Sequence, residues 1–171
     1  RLLVTGSLTT DDSVTRKFSA FRNFAFDPWG SEINDKLIST GALTTGNTNG
    51  SDIPMFLAGV EAAKGKSVFR VTSSGTLLSW LAPRTNITSI DRLLLSDDRL
   101  YVGGRFARLD NVSNDRGVLV FNKSDASEVY WPANPGFGVQ ALFQRGEFLY
   151  FGGDFGYVPG SPEPIAYLGA A

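Results

Sequence analysis

The sequence predicts an all-β protein made of short antiparallel strands, and three observations support this class. Glycine and proline are frequent, with 19 and 8 in 171 residues, as expected for a chain with many turns. The best-defined segment, residues 87–131, divides into four apolar runs separated by turn residues, without an apolar spacing of helical period. Two sequence markers recur about every 50 residues. We therefore expect several small sheets of similar construction.

Four strands are predicted in segment 87–131, at residues 87–95, 100–106, 117–122 and 128–131. The acidic pair at 97–98 is interpreted as a hairpin turn, because Asp tolerates the backbone conformations that turns require. The next unit has Gly-Glu at the corresponding positions, so the acidic pair is not repeated. Alternation along the second strand places one set of residues on a single face: Leu100, Val102, Gly104 and Phe106.

The first marker is a glycine pair inside a strand. Leu-Tyr-Val-Gly-Gly-Arg-Phe at 100–106 recurs as Leu-Tyr-Phe-Gly-Gly-Asp-Phe at 149–155, with weaker copies at 55–60 and 2–8. Successive second glycines are 53, 45 and 49 residues apart. The second marker is tryptophan, which recurs at an interval of 51 residues each time. The marker residues are Gly6, Gly59, Gly103, Gly104, Gly152, Gly153, Trp29, Trp80 and Trp131.

A four-stranded unit repeated about every 50 residues fits the blade of a β-propeller. The predicted units are 1–30, 31–80, 82–131 and 132–171, a little over three blades in a single partial propeller. Closed propellers have about four to eight blades, so we expect remaining blades of a larger protein, or other protein chains, to complete it. The glycines would allow strands to approach closely, and each tryptophan would fill the space between neighbouring blades.

These segments resemble the VGGxF-type β-propeller repeats of bacterial surface and secreted proteins. They are also similar to the propeller ectodomain of fungal cortical polarity markers. The resemblance is carried by residues 74–80, 100–106, 131–134 and 139–142, and it extends from about residue 54 to the end of the chain. It implies an extracellular or cell-surface module that provides scaffolding or binding, and it brings no catalytic residues with it.

Composition excludes several kinds of chemistry. The chain has no Cys and no His, which excludes disulfides, Cys or His metal sites, and catalytic triads or dyads that need them. The net charge of −1 gives no basic surface for nucleic acid. No apolar run approaches the ~20 residues that span a bilayer, so we expect no membrane insertion in this segment. We assign no catalytic, cofactor-binding or metal-binding residue, and no cofactor.

Four Asn-X-Ser/Thr sequons lie in or beside predicted loops, where a glycan would be accessible. The candidate glycosylation residues are Asn49, Asn86, Asn111 and Asn122. The interpretation as a glycoprotein applies if the chain passes through a eukaryotic secretory pathway. Otherwise these residues are ordinary polar loop residues.

The sequence therefore favours a non-enzymatic extracellular propeller segment that serves as a structural or protein- or glycan-binding platform. Its ligands would contact loops at one end of the blades, such as 105–114 and 154–164. One alternative is a subunit of an extracellular fibre or sheath, joined through open blade edges or faces. Another is a propeller hydrolase or lyase that uses carboxylates such as Asp91 and Asp154.

Overall fold

The computed structural model describes residues 2–9, 14–22, 25–27, 29–45, 55–61, 65–81, 87–96, 98–107, 116–131, 138–154 and 169–170. These residues form four small antiparallel sheets and one short helix, so the predicted all-β class is confirmed. The chain divides into two compact units, Arg1–Arg84 and Thr85–Ala171, and each contains two of the sheets.

Unit one contains sheets one and two. Sheet one has three strands in sequential order: β1 (Leu2–Thr9), β2 (Thr15–Arg22) and β3 (Ala25–Asp27). Sheet two has four strands in sequential order: β4 (Leu37–Thr45), β5 (Met55–Glu61), β6 (Gly65–Val71) and β7 (Leu77–Ser79). Every neighbouring pair is antiparallel, so each sheet is a meander.

A five-residue helix, α1 (Glu32–Lys36), connects the two sheets of unit one, and the sequence did not predict it. Its Ile33 is fully buried. The Asn34 side chain accepts the N–H of Phe18 at 3.0 Å and donates to the carbonyl of Phe18 at 2.9 Å, which joins the helix to β2. The Glu32 carboxylate accepts the N–H of Leu77 in β7 at 2.9 Å. These long-range bonds fix a helix that is too short to show a periodic apolar pattern.

Unit two contains sheets three and four. Sheet three comprises β8 (Ile87–Leu95), β9 (Arg99–Phe106), β10 (Arg116–Asn122) and β11 (Glu128–Val129), in sequential order. Sheet four comprises β12 (Gly138–Arg145), β13 (Phe148–Asp154) and β14 (Gly169–Ala170). The four strands predicted within 87–131 are confirmed, with ends that differ by no more than two residues.

The first and second strands of sheet three meet at a β-bulge opposite the glycine pair. Ile90 pairs with Gly104 and Arg92 pairs with Gly103, which leaves Asp91 as an extra residue on β8. A bulge of this kind bends the strand and changes the direction of the side chains beside it.

Sheet four has the same bulge at the same place. Val139 pairs with Gly153 and Ala141 pairs with Gly152, which leaves Gln140 as the extra residue on β12. Sheet two also has a register shift after the residue opposite its marker glycine, where Thr40 pairs with Gly59. Three sheets therefore share one pairing irregularity at the position of the glycine marker.

Each unit packs its two sheets together through apolar side chains. In unit one, the buried cluster combines strands of both sheets with the helix, and its members are Phe18, Ile33, Leu37, Met55, Leu57, Phe69, Val71 and Leu77. In unit two, the buried cluster joins sheet three to sheet four, and its members are Val118, Val120, Val139 and Phe151. Burial of such side chains contributes about 1.5–3 kcal/mol each. Burial of these side chains between the two sheets therefore contributes to the stability of each unit.

Candidate functional site

The second glycine of the pair lies against the backbone of the first strand in both sheets of unit two. A methyl group on Gly104 would overlap the carbonyl oxygen of Ser89, and one on Gly153 would overlap that of Gly138. Gly59 of unit one has a related environment, since a methyl group there would lie 3.2 Å from the carbonyl oxygen of Ser39. At these three positions the absence of a side chain allows the first and second strands to approach closely.

The other glycine markers differ in their surroundings. Gly103 faces sheet four, where an added methyl group would lie 3.1 Å from side-chain carbons of Val139 and Leu142. Gly6 has no atom within 4 Å of an added methyl group and adopts a φ of 112° beside a register shift of β1. Gly152 pairs with Ala141 at the bulge of sheet four. The marker therefore allows close strand packing in some copies and a bulged backbone in another.

All three marker tryptophans follow the last strand of their sheet, one or two residues beyond its end. The Trp29 indole N–H donates to the carbonyl of Ser73, in the turn between β6 and β7 of sheet two, at 2.9 Å. Trp131 contacts Phe151 of sheet four edge to face, with ring centroids 5.9 Å apart. These two residues therefore each make a contact with the part of the chain that forms the following sheet. Trp80 contacts Phe56 of its own sheet, at 4.9 Å.

Of the four candidate glycosylation residues, Asn49, Asn86 and Asn111 lie outside the described residues, and Asn122 lies at the end of β10. The Asn122 side-chain amide donates to the Ser127 hydroxyl at 2.7 Å. Its backbone N–H donates to the carbonyl of the same serine at 2.9 Å. Asn122 therefore has a structural role in the turn between β10 and β11, in addition to being part of a sequon.

Asp125 completes that turn. Its carboxylate accepts the backbone N–H of Ser127 at 2.9 Å and the Ser127 hydroxyl at 2.7 Å. These two hydrogen bonds, the backbone one first, lower the pKa of Asp125 below its ordinary value. The neighbouring Ala126 has a φ of 60°, in the left-handed region.

The bulges of unit two produce a set of polar side chains that we call the polar bulge surface. It is formed by Ser89, Asp91, Arg92, Arg105, Gln140 and Asp154. All are exposed except Ser89, which is half-buried. The two carboxylates and two guanidinium groups balance in charge, and hydrogen bonds connect β8 to β12 and β12 to β13.

Three hydrogen bonds organise this surface. The Ser89 hydroxyl donates to the Asp91 carboxylate at 3.0 Å. The Arg92 Nε donates to the backbone carbonyl of Gln140 at 3.0 Å, and the Gln140 amide donates to the Asp154 carboxylate at 3.0 Å. Asp91 and Asp154, the carboxylates considered for catalysis, thus each accept a hydrogen bond from a neutral side chain in an exposed position.

Arg92 and Gln140 were not singled out from the sequence. The signal that could have identified them is the register of strand pairing. In each sheet of unit two the extra residue of the bulge lies opposite the glycine pair. Gln140 is that extra residue in β12, and Arg92 directly follows the extra residue of β8. The two predicted binding loops are described only at their ends: residues 105–107 of the first and Asp154 of the second, the rest lying outside the described residues. Arg105 and Asp154 place the base of both loops beside the polar bulge surface.

The polar bulge surface offers donors from Arg and Gln and acceptors from Asp, a set that suits hydrogen bonding to a polar ligand. Within the described residues, no group of three acidic side chains is close enough to hold a metal ion. In the same part of the chain, no helix has the length and apolar character needed to cross a bilayer. No protein-family model, curated protein or solved structure matches this chain.

Proposed function

We propose that the chain is a segment of an extracellular or cell-surface β-propeller and acts as a non-enzymatic structural and ligand-binding platform. The observation that carries the proposal is the shared construction of the sheets. Sheets two, three and four each pair a marker glycine with a bulged first strand, and each unit stacks two sheets face to face. Successive face-packed sheets of four strands are the building pattern of propellers.

Binding rather than catalysis is supported by the kinds of side chain available. The chain contains no His and no Cys, the residues that most often provide nucleophiles and proton transfer near neutral pH. The polar bulge surface presents exposed hydrogen-bonding groups at the base of both predicted binding loops. Hydroxyl-rich ligands such as glycans are recognised by this combination of Arg, Asp and Gln.

The binding proposal is tested by probing an array of neutral and acidic oligosaccharides with the labelled protein. We expect a subset to bind, with about tenfold weaker binding by Gln140→Ala and Asp154→Ala, since each change removes one partner of an exposed hydrogen bond. Ser124→Ala, an exposed change in the turn between β10 and β11, is the matched control. Absence of glycan binding, or equal binding by all variants, would refute this role for the polar bulge surface.

The same incubation distinguishes a platform from a hydrolase or lyase. Products released from the bound oligosaccharides are quantified as new reducing ends or new double bonds. We expect none above the level of a buffer control. Product formation that depends on Asp91 or Asp154 would support the carboxylate enzyme and refute the platform.

The propeller arrangement is tested by distance measurements between spin labels. The chain has no native Cys, so Thr45→Cys, Asp98→Cys and Glu147→Cys can each be labelled selectively where first and second strands are joined. If the sheets are rotated about one axis, the Thr45–Glu147 distance is shorter than the sum of the Thr45–Asp98 and Asp98–Glu147 distances. A distance equal to their total would indicate a linear stack and refute the propeller.

A further inference from the structure

Two guanidinium groups of the polar bulge surface reach from sheet three to the same strand of sheet four. Arg92 pairs with Gly103, and Arg105 follows two residues later in β9, so both lie on the side that faces sheet four. The Arg92 Nε donates to the carbonyl of Gln140 at 3.0 Å. Nε and Nη2 of Arg105 lie 3.8 Å from the position that a methyl group on Gly138 would occupy. Both groups therefore lie against the beginning of β12.

The two guanidinium groups are close enough to contact one ligand. Gly138 and Gln140, which they contact in β12, are two residues apart, and two residues of a strand span about 7 Å. Arg92 and Arg105 are both exposed. A ligand at this place can therefore accept hydrogen bonds from both side chains.

The charges of this surface do not neutralise one another. Within the described residues, neither Arg92 nor Arg105 forms an ion pair. The carboxylate of Asp91 accepts a neutral hydroxyl and that of Asp154 accepts a neutral amide. The surface therefore presents two cations and two anions that keep their capacity for further hydrogen bonds.

Another arginine of sheet three shows the usual alternative. Arg99 contacts the carboxylate of the preceding Asp98 at 3.2 Å. Asp91 precedes Arg92 in the same way, but Arg92 donates to Gln140 of sheet four instead. This hydrogen bond uses Nε and holds the guanidinium group in place, while its Nη groups have no partner among the described residues.

We propose that the polar bulge surface binds sugars that carry a carboxylate, such as the uronic acid units of acidic polysaccharides. The inference rests on the proposed ligand-binding function and names the class of ligand. Arg92 and Arg105 donate charged hydrogen bonds to the carboxylate, for which the planar guanidinium group is well suited. Asp91 and Asp154 accept hydrogen bonds from the hydroxyl groups of the sugar. A ligand with both kinds of group matches both charges of the surface.

Titration calorimetry with the whole chain tests the carboxylate. An oligosaccharide of uronic acids is compared with the same oligosaccharide after its carboxyl groups are reduced to alcohols. We expect the acidic form to bind about tenfold more tightly, and high salt to weaken the acidic form alone. Equal binding of both forms overturns the inference and leaves the ligand-binding platform standing. Binding of neither form also overturns it, and the platform fails with it only if the wider oligosaccharide array shows no binding.

Substitutions test the two arginines. Arg92→Gln and Arg105→Gln are each expected to weaken the acidic form about tenfold and to change binding of the reduced form by less than about twofold. Arg105→Gln is the decisive variant, since within the described residues Arg105 forms no hydrogen bond that its loss would break. Arg145→Gln is the matched control, because it removes the same charge from β12 about 17 Å from Gln140. Binding unchanged by Arg105→Gln, or equally weakened by Arg145→Gln, overturns the proposal.

A sulfated oligosaccharide of the same length distinguishes a carboxylate sugar from any anionic sugar. Its hydroxyl groups are esterified, so Asp91 and Asp154 lose their donors and repel the sulfate groups. We expect it to bind more weakly than the uronic acid oligosaccharide. Equal or tighter binding of the sulfated form overturns the assignment to carboxylate sugars.

Discussion

Gly104 lies so close to the backbone carbonyl of Ser89 that no side chain fits between β9 and β8. Gly153 has the same relationship with the carbonyl of Gly138 between β13 and β12. Both contacts adjoin the bulges that produce Asp91 and Gln140. The glycine marker is therefore connected to the polar bulge surface, since the close approach and the bulge occupy the same place in each sheet.

Gly104→Ala is expected to lower the free energy of unfolding by about 1–3 kcal/mol, because its methyl group would displace the backbone of β8 rather than a flexible side chain. Urea denaturation measures the change. Gly138→Ala is the matched control, since the nearest atoms to its added methyl group are in the Arg105 side chain at 3.8 Å, an ordinary contact. Equal effects of the two substitutions would contradict this account of the marker.

Much of the secondary structure could be predicted from the sequence, since strand alternation and turn residues are local signals. In sheet three the predicted strand ends agree with the observed ones to within two residues. The composition of residues 44–52 is typical of a polar loop, but Thr44 and Thr45 belong to β4, where threonine's branched side chain is favoured. The helix α1 was missed because hydrogen bonds from the backbone of β2 and β7 to its own side chains stabilise it, and these strands are distant in sequence or follow it.

The candidate site was less predictable, because it depends on pairing between strands that are distant in sequence. The sequence offered Asp91 and Asp154 as candidate catalytic carboxylates, and it could not show that Gln140 contacts Asp154. The bulge creates that proximity, and bulges follow from register rather than composition. The arrangement of the sheets around one axis stays a prediction. It too depends on packing between segments that are distant in sequence.

Trp131 is expected to contribute to the stability of unit two through its contact with Phe151. Trp131→Ala should lower the free energy of unfolding by about 2 kcal/mol, less than for a fully buried tryptophan because the side chain is half-buried. In a double-mutant cycle with Phe151→Leu, the aromatic pair should show a coupling of about 0.5–1.5 kcal/mol. Tyr130→Ala, at a residue 79% exposed, is the control and should change stability by no more than about 0.5 kcal/mol. Additive effects of Trp131 and Phe151 would show that the two rings contribute independently.

Asp125 is expected to titrate below the ordinary range of an aspartate, because both donors of Ser127 stabilise its charged form. A folded pKa below the unfolded value gives stability that is present above the unfolded pKa. That stability is lost as pH falls through the folded pKa. NMR titration of the carboxyl carbon in wild type and in Ser127→Ala measures the effect. The substitution should raise the pKa of Asp125, since it removes the hydroxyl donor, and an unchanged titration would refute this role of Ser127.

Two roles of Asn122 can be separated by substitutions in the turn between β10 and β11: its hydrogen bond to Ser127 and its place in a sequon. Asn122→Ala should lower the free energy of unfolding by about 1 kcal/mol, because the amide no longer donates to the Ser127 hydroxyl. Ser124→Ala removes the sequon but retains Asn122, and should leave stability unchanged. Both variants should lose any glycan at this position when the chain is secreted from eukaryotic cells, as peptide mass spectrometry would show. A stability loss in Ser124→Ala equal to that in Asn122→Ala would contradict the separation.

Ala126→Gly is expected to stabilise the fold, against the usual direction of an alanine-to-glycine change. The φ of 60° at Ala126 costs a residue with a side chain about 1 kcal/mol, whereas glycine adopts it freely. Part of this gain is offset because glycine has more conformational entropy in the unfolded chain, so the net increase should be about 0.5 kcal/mol. Ala141→Gly in β12 has the opposite expected sign, since glycine in a strand interior weakens it. Thermal and urea denaturation of both variants should therefore shift in opposite directions, and a destabilised Ala126→Gly variant would show that the left-handed turn does not form in solution.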